Sequence, residues 1–260
     1  MESGQQTSGW RSWVAPGAMV LLLSCTFVLL LTAHSWKRGL SVGSVDVVGT
    51  RILQKADVVT LAGIARGEKL FAVDLAAVKR RIEQNPFVRS ASVERDAPDR
   101  IIVAVEEREP LATAVTDRMV FLDGDGYVMP AVRSEYLFDF PLITGGLTAG
   151  ECVPGKRIGT ECVQQALALL KTAQAIGDET YRRISEVRAD PQHDLVLYTA
   201  EYGIPVIVGR GNEAAKLLAL DGFWNTIVGQ RGAQGLQYID LRFDDQVVVR
   251  WGHDRTELMQ

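Results

Sequence analysis

The feature that most constrains this chain is an apolar run close to its amino terminus. Residues 14–33 (VAPGAMVLLLSCTFVLLLTA) contain no charged side chain. At about 1.5 Å per helical residue, such a run reaches across a hydrocarbon core of about 30 Å. Trp10, Trp13 and Trp36 flank the run, and indole rings favour the interface between lipid and water. The run predicts a single transmembrane helix over 14–33.

Two other interpretations of the same run stay open. A cleaved signal peptide would use the small residue Ala33, but Arg11 is the single positive side chain in front of the run. A lipoprotein would be acylated at Cys25, although the apolar run continues beyond that cysteine. The length of the run favours the transmembrane helix over both.

The charges beside the run leave its orientation ambiguous. Arg11 and the amino terminus lie on one side, and Lys37 and Arg38 lie on the other. Taken alone, the charge rule slightly favours an amino terminus outside the cytoplasm. The chain divides into a short tail at 1–13, the span, a tether at 34–42 and a large soluble part in which the function must lie.

The composition of the chain excludes several classes of function. Lys and Arg total 28 against 32 Asp and Glu, so the basic excess that nucleic acid binding requires is missing. The 3 cysteines form no Cys-x-x-Cys or Cys/His array, and none of the 3 histidines stands beside a nucleophile signature. We therefore expect no catalytic residue, metal, cofactor or small-molecule substrate. The chain is predicted not to be an enzyme.

Two short motifs imitate ligand sites. The sequence 123–126 (DGDG) resembles the start of a calcium loop, but no Glu stands at the twelfth position, so a hairpin turn is favoured. The sequence 209–214 (GRGNEA) imitates a dinucleotide fingerprint, but too little chain follows Asp240 for such a fold. We expect a strand-to-helix turn there, with Asn212 capping the helix.

The remaining cysteines leave a choice open. Cys152 and Cys162 have a spacing that a loop-to-helix connection could close into a disulfide outside the cytoplasm. Free thiols are equally compatible with the sequence.

The chain after the tether predicts a small domain. Hydrophobic periodicity and turn residues place its strands and helices, in the order strand, helix, helix, strand, strand, at 45–48, 57–61, 74–84, 89–95 and 101–105. Its predicted interior consists of apolar side chains on the second helix and the last two strands: Leu75, Val78, Ile82, Val93, Val103 and Val105.

The rest of the chain predicts a mixed sheet with helices on one face. Its predicted strands are a hairpin at 119–122 and 127–128, then 184–188, 195–198 and 205–208, and a final hairpin at 238–243 and 247–251. Helices are predicted at 161–176 and 212–227. The fold class is α+β.

Several short motifs carry a family resemblance. The sequences VDVVG (45–49), GEKLF (67–71), NPFV (85–88) and VERDAP (93–98) resemble a POTRA domain. The run EEREP (106–110) follows, and a membrane-anchored POTRA domain closed by an E-R-x-P motif resembles the bacterial cell-division family FtsQ, called DivIB in Gram-positive bacteria. The resemblance implies a POTRA domain at 43–109, a β domain at 110–254 and a tail at 255–260.

The resemblance also implies a function. Members of this family are scaffolds of the septal division complex that bind FtsB and FtsL and other divisome membrane proteins. The implied location is the inner membrane at the division septum, with the amino terminus in the cytoplasm and the domains outside it. The alternatives are a POTRA protein of envelope assembly or secretion and an anchored periplasmic enzyme.

The resemblance places the partner site on the last strands. The sequence 238–243 (YIDLRF) matches a family segment with a terminal tyrosine, which is Phe243 here, and Trp251 follows as a large anchor. The candidate partner-binding residues on this hairpin and the helix before it are Lys216, Tyr238, Asp240, Arg242, Phe243, Asp244, Val247, Val249 and Trp251. Core packing is the alternative role for Tyr238, Leu241 and Trp251.

Overall fold

The computed structural model describes residues 11–131, 140–190, 192, 194–243 and 245–252. Within the first helix, it describes the side chains of residues 19–32. The predicted tail at 255–260, residues 1–10 of the predicted tail at 1–13, and the candidate Asp244 lie outside the described residues. So do Trp10 and the side chains of Trp13 and Trp36.

The first helix, α1 (Arg11–Gly39), covers the apolar run. Its described large apolar side chains are highly exposed, from 53% at Leu31 to 72% at Leu21. Among the described residues, no helix combines the length and the apolar character that a membrane span requires. The transmembrane helix over 14–33 stays a prediction.

The described chain folds into two compact units. The first comprises the chain up to Glu83 together with 90–106, and the second comprises 84–89 together with the chain from Glu107 onward. After α1, the first unit is built from β1 (Ser44–Val48), α2 (Lys55–Ala62), α3 (Leu75–Glu83), β2 (Val88–Asp96) and β3 (Arg100–Glu107). The predicted order of strand, helix, helix, strand and strand is confirmed.

The strands of the first unit form the small sheet, three strands in the order β1-β3-β2 among the described residues. β1 and β3 run parallel, and Val47 lies beside Val103. Val78, Ile82, Val103 and Val105 are buried as predicted.

Leu75 and Val93 are only half-buried, so their predicted place in the interior is wrong in part. Leu75 is the first residue of α3, and a residue in the first turn of a helix is covered by fewer neighbours. On β2, Ala91 is buried and Val93 half-buried, and both alternate with the exposed Ser92 and Glu94 as predicted, but Val93 is less completely covered than expected.

The second unit contains most of the chain. Its strands are β4 (Pro110–Val115), β5 (Met119–Asp123), β6 (Val128–Pro130), β7 (Leu142–Thr144), β8 (Ile184–Arg188), β9 (Val196–Thr199), β10 (Pro205–Ile207), β11 (Leu236–Asp240) and β12 (Val248–Trp251). Its helices are α4 (Glu161–Ile176), α5 (Asp178–Arg182), α6 (Glu213–Phe223), a π-helical turn (Trp224–Val228) and α7 (Gly229–Arg231). Among the described residues, the strands form the large sheet, nine strands in the order β12-β11-β10-β9-β8-β7-β4-β5-β6.

The core of the second unit lies between the large sheet and its long helices. α4 has the predicted bounds, and its predicted stripe is buried except for Ile176, which is half-buried. From α6, Leu217 and Leu220 join the same core. The mixed sheet with helices, and with it the α+β class, is therefore as the sequence predicts.

The sequence does not reveal β4, which lies between β7 and β5 in the large sheet. Leu111, Ala112, Thr113 and Ala114 are all buried, so β4 shows no alternation of apolar and polar residues. A strand buried on both faces lacks the signal by which strands are recognised. β7 and α5 are missed because each is short.

Candidate partner interface on the terminal hairpin

The two edge strands of the large sheet, β6 and β12, are in different situations. The segment after β6 folds back along it: the Val128 N–H donates to the Lys156 carbonyl at 2.8 Å, and the Gly155 N–H donates to the Val128 carbonyl at 2.8 Å. An isolated bridge pairs Tyr127 with Arg157. The β6 edge is therefore covered by the chain itself.

Among the described residues, nothing covers the edge at β12 in this way. β12 pairs with β11 in an antiparallel hairpin, in which Ile239 lies opposite Val249 and Asp240 lies opposite Val248. Among the described residues, the backbone groups of Val248–Trp251 make no hydrogen bond beyond the hairpin. An uncovered edge strand presents N–H and C=O groups to which a further strand can pair.

The side chains of β12 divide between the core and solvent. Val249 and Trp251 are half-buried and pack against the core, whereas Val248 is 38% exposed. The guanidinium of Arg231 lies 4.7 Å from the centre of the Trp251 ring, close enough for a cation–π contact. Trp251 therefore packs against the core, which is the alternative role considered from the sequence.

The residues after β11 do not continue the strand. The prediction of a strand over 238–243 is wrong at its end, because β11 stops at Asp240 and leaves Arg242 and Phe243 in the connection to β12. The cause is local: the Asp240 carboxylate accepts the backbone N–H of Arg242 at 3.0 Å, which turns the chain.

Arg242 is held by two carboxylates. Its Nε donates to Oδ1 of Asp240 at 3.0 Å and its Nη2 donates to Oδ2 at 2.7 Å, so one edge of the guanidinium is bound bidentately. Its Nη1 donates to Oδ2 of Asp194, before β9, at 3.1 Å. Hydrogen bonding from Arg242 lowers the pKa of Asp240 against the opposing effect of burial, and the pKa of Arg242 is raised by the same contacts.

A glycine makes room for this arginine. Gly209 has a φ of +68°, and a Cβ built on it would lie 2.8 Å from Cγ of Arg242. The glycine therefore serves both the turn after β10 and the path of the arginine side chain.

Lys216 is engaged within the domain. Its Nζ donates to the carbonyls of Val208 at 2.9 Å and of Arg210 at 3.0 Å, so the ammonium secures the turn before α6.

The predicted side-chain cap by Asn212 is wrong, since Asn212 has a φ of +55° and its side chain makes no capping bond. A capping side chain requires an extended backbone at that residue.

Phe243 borders a shallow pocket. The side chain is 52% exposed, and the pocket between the hairpin connection and α6 holds about 100 Å³. The pocket is lined by apolar side chains (Ala215, Ala219, Leu241 and Phe243) and by polar or charged ones (Asn212, Lys216, Asp245 and Gln246). A space of this size suits one partner side chain.

The structure thus brings most of the candidate residues to one end of the large sheet. Tyr238 lies half-buried opposite Arg250, Asp240 is buried, Arg242 and Phe243 are exposed, and Val247 is half-buried against the core. Sequence reasoning missed Asp194 and Arg231, for which no local pattern exists because both are brought in by the fold. For Gly209, the Gly-x-Gly pattern was a signal, but it was assigned to the turn alone.

The two motifs that imitate ligand sites are turns. The Asp123 carboxylate accepts the backbone N–H of Asp125 at 2.9 Å and of Tyr127 at 2.8 Å, and also a bond from Nη1 of Arg108 at 2.8 Å. Its oxygens are thus taken up by the hairpin, as a turn requires. In the part of the chain that is described, no group of three or more His, Cys, Asp or Glu side chains is placed to hold a metal ion.

Cys152 and Cys162 are free and buried, which decides the open choice in favour of thiols. Burial raises the pKa of both thiols.

Two protein-family models match the chain. The model described as "POTRA domain, FtsQ-type" matches residues 40–108. The model described as "Cell division protein FtsQ/DivIB, C-terminal" matches residues 112–242, which include β11 and Arg242.

Curated relatives are similar over most of their length. Cell division protein FtsQ of Geobacter sp. (strain M21) is 30% identical over 207 residues, 80% of this chain and 74% of the relative. Cell division protein FtsQ of Rhodothermus marinus is 31% identical over 255 residues, 95% of this chain and 91% of the relative. Cell division protein FtsQ of Syntrophotalea carbinolica is 28% identical over 232 residues, which are 89% of this chain and 80% of the relative.

Proposed function

This chain belongs to the FtsQ/DivIB family of cell division proteins, and we propose that it is a non-enzymatic scaffold that binds the FtsB–FtsL pair through its terminal hairpin. One observation carries the proposal. Of the two edges of the large sheet, β6 is covered by 155–158, whereas β12 is open among the described residues. An open edge strand is the surface to which a partner strand adds.

The side chains around that edge would supply selectivity. Backbone hydrogen bonds alone bind any extended chain, so specific partners need additional contacts. Phe243 offers an exposed ring beside a pocket, and Arg242 offers a guanidinium to a partner carboxylate. Val247, Val249 and Trp251 support the edge from within the domain, and Lys216 secures the neighbouring turn. Tyr238 lies half-buried opposite Arg250 on β12.

The proposal extends to domain organisation. Residues 43–109 form the POTRA domain, which with the anchor recruits other divisome membrane proteins, and residues 110–254 form the partner-binding β domain. Two family-model matches and the two compact units support this division.

The proposal also includes an inner-membrane anchor at 14–33, with the amino terminus in the cytoplasm and the domains outside it at the division septum. The charge-free run and the exposed apolar side chains of α1 support the anchor, since a soluble surface rarely carries so many together.

A site-specific photocrosslinker tests the edge directly. We would place it at Val248 on β12 in the full-length chain, co-expressed with FtsB and FtsL from the same genome. Met119 on β5 is the matched control, because it is a strand residue of the same sheet and is 55% exposed. Crosslinks to FtsB or FtsL are expected from position 248 and not from 119. Crosslinks from 119 alone, or equally from both positions, would refute the placement on β12.

A further inference from the structure

The Arg242 side chain has two kinds of carboxylate partner. The Asp240 side chain is 6% exposed and binds the edge formed by Nε and Nη2 with both oxygens. The Asp194 side chain is 39% exposed and touches Nη1 alone, with one oxygen at 3.1 Å. The first contact is a bidentate pair with a buried carboxylate, and the second is a monodentate pair at the surface.

The difference decides which contact is replaceable. An exposed monodentate ion pair contributes little to stability, because water solvates both charges once they separate. The bidentate pair is harder to separate, because the buried carboxylate of Asp240 would lose its charged partner. The Asp240 contact therefore fixes the guanidinium, and the Asp194 contact can open without disturbing it.

The N–H donors of Arg242 also leave room for a partner carboxylate. A guanidinium carries five N–H donors. Among the described residues, Asp240 and Asp194 use Nε, one N–H of Nη2 and one of Nη1. The end of the fork, between the two terminal nitrogens, is where a further carboxylate can bind bidentately.

Charge makes Asp194 a competitor of such a carboxylate. Two carboxylates already face one guanidinium, so a third would be repelled while Asp194 stays in place. We propose that, in the free protein, Asp194 occupies the position on Arg242 that a partner carboxylate occupies in the complex. On binding, the partner carboxylate replaces Asp194. The inference rests on the proposed function, since it assumes that Arg242 contacts the partner.

Replacing Asp194 is expected to change the affinity for the partner in an unusual direction for a residue near an interface. Replacing Asp194 by Asn removes the competing charge but keeps the size of the side chain, so binding should become tighter. We expect about a threefold gain in affinity, the size of an exposed ion pair. Replacing Asp240 should have the opposite effect on affinity. Because Asp240 positions Arg242, D240N should weaken binding.

The experiment measures the affinity of the full-length chain in detergent for the FtsB–FtsL pair encoded in the same genome, at low salt. The variants are D194N, R242Q and the double variant D194N/R242Q. The control is D178N, which makes the same charge change in an exposed pair, with Arg182 at 3.4 Å on α5. D194N should bind more tightly, D178N should match the parent, and the double variant should bind as weakly as R242Q alone.

Each other outcome has a distinct meaning. If R242Q binds like the parent, Arg242 is not a partner contact, and both the exchange and that part of the proposed function are refuted. If R242Q binds weakly but D194N is unchanged or weaker than the parent, the exchange alone is refuted. A gain from D194N that persists in the R242Q background, or that D178N reproduces, would show general electrostatics and would also overturn the exchange.

Discussion

A single buried carboxylate decides where the connection of the terminal hairpin goes. Asp240 binds both the backbone N–H and the guanidinium of Arg242, so the residue that ends β11 also fixes the side chain two positions later. Two residues that lie two positions apart in the sequence thus form a rigid unit at the surface, while a third residue, Asp194, comes from a distant loop. The ionised state of Asp240 is needed for its bidentate contact with the guanidinium.

The stability of the domain should therefore depend on acid through Asp240. Its pKa is lowered in the folded state by hydrogen bonds from Arg242, so the contribution to stability is complete above the unfolded pKa of about 3.9 and is lost as pH falls through the folded pKa. D240N should lower the melting temperature at pH 5 to 7, and its difference from the parent should shrink below about pH 4. Thermal melts across this range measure it.

D178N serves as the control, because its exposed pair should leave the melting temperature unchanged across that range. If the difference in melting temperature between D240N and the parent stays constant down to about pH 2, the stabilising role of the ionised Asp240 is contradicted.

The second prediction at this scale concerns Gly209. Gly209→Ala and Gly211→Ala should each cost about 1 kcal/mol, because both residues have a positive φ, +68° and +71°. Only the first would push against Arg242, since a Cβ on Gly211 meets nothing within 4 Å. Chemical denaturation should show a stability loss for Gly209→Ala that is at least as large as that for Gly211→Ala, and a binding titration should show weaker FtsB–FtsL binding for Gly209→Ala alone. Equal binding by the two variants would separate Gly209 from the interface.

At the scale of the element, the terminal hairpin combines a structural face and an open edge. Val249 and Trp251 pack against the core, while Val248 faces solvent and Phe243 lies exposed beyond the strand. Alternation along a strand allows this, because neighbouring side chains point to opposite faces of the sheet. The same hairpin can therefore be essential for folding and available for binding.

Two alanine substitutions should separate these roles. Trp251→Ala should cost about 2 kcal/mol by opening a cavity beside the core, and should lower the melting temperature by about 4–8 °C. Phe243→Ala should leave the melting temperature within about 2 °C and weaken FtsB–FtsL capture by roughly tenfold or more. Calorimetry and a binding titration of both variants measure the two effects. A destabilised Phe243→Ala variant would place that ring in the core.

At the scale of the whole molecule, the two compact units should unfold as separate transitions. Val103 is buried in the small sheet, and a lone carboxylate there costs several kcal/mol, comparable to the stability of a small domain. Val103→Asp should abolish the transition of the first unit and leave that of the second. Val48→Asp, at a position that is 48% exposed on β1, is the control and should leave both transitions. Loss of both transitions in Val103→Asp would contradict independent folding.

The proposed topology is testable on the intact chain. Alkaline phosphatase fused after Gln260 should be active, and a fluorescent protein that matures in the cytoplasm should stay dark there, because the proposal places the carboxyl terminus outside. A fusion after Arg11 is the control for the opposite side. A bright fluorescent fusion after Gln260 would reverse the orientation, which the charges beside the run leave ambiguous.

Much of this architecture follows from local patterns in the sequence. The stripe of α4, the two glycines in 123–126 and the final hairpin all predict elements that the structure contains, because each depends on periodicity or on turn chemistry within a few residues. The motifs at 45–49, 67–71, 85–88 and 93–98, together with the run EEREP at 106–110, are sufficient to indicate the family. These signals are local, and the chain keeps them in any context.

Only the tertiary structure decided which edge of the large sheet is open among the described residues and which of them surround Arg242. The cover on β6 comes from residues about 30 positions later in the chain, and Asp194 reaches Arg242 across 48 positions, so neither leaves a periodic trace. β4 is invisible for the related reason that burial on both faces removes alternation. Long-range pairing depends on which strands become neighbours, and that is set by packing of the whole core, not by any one segment.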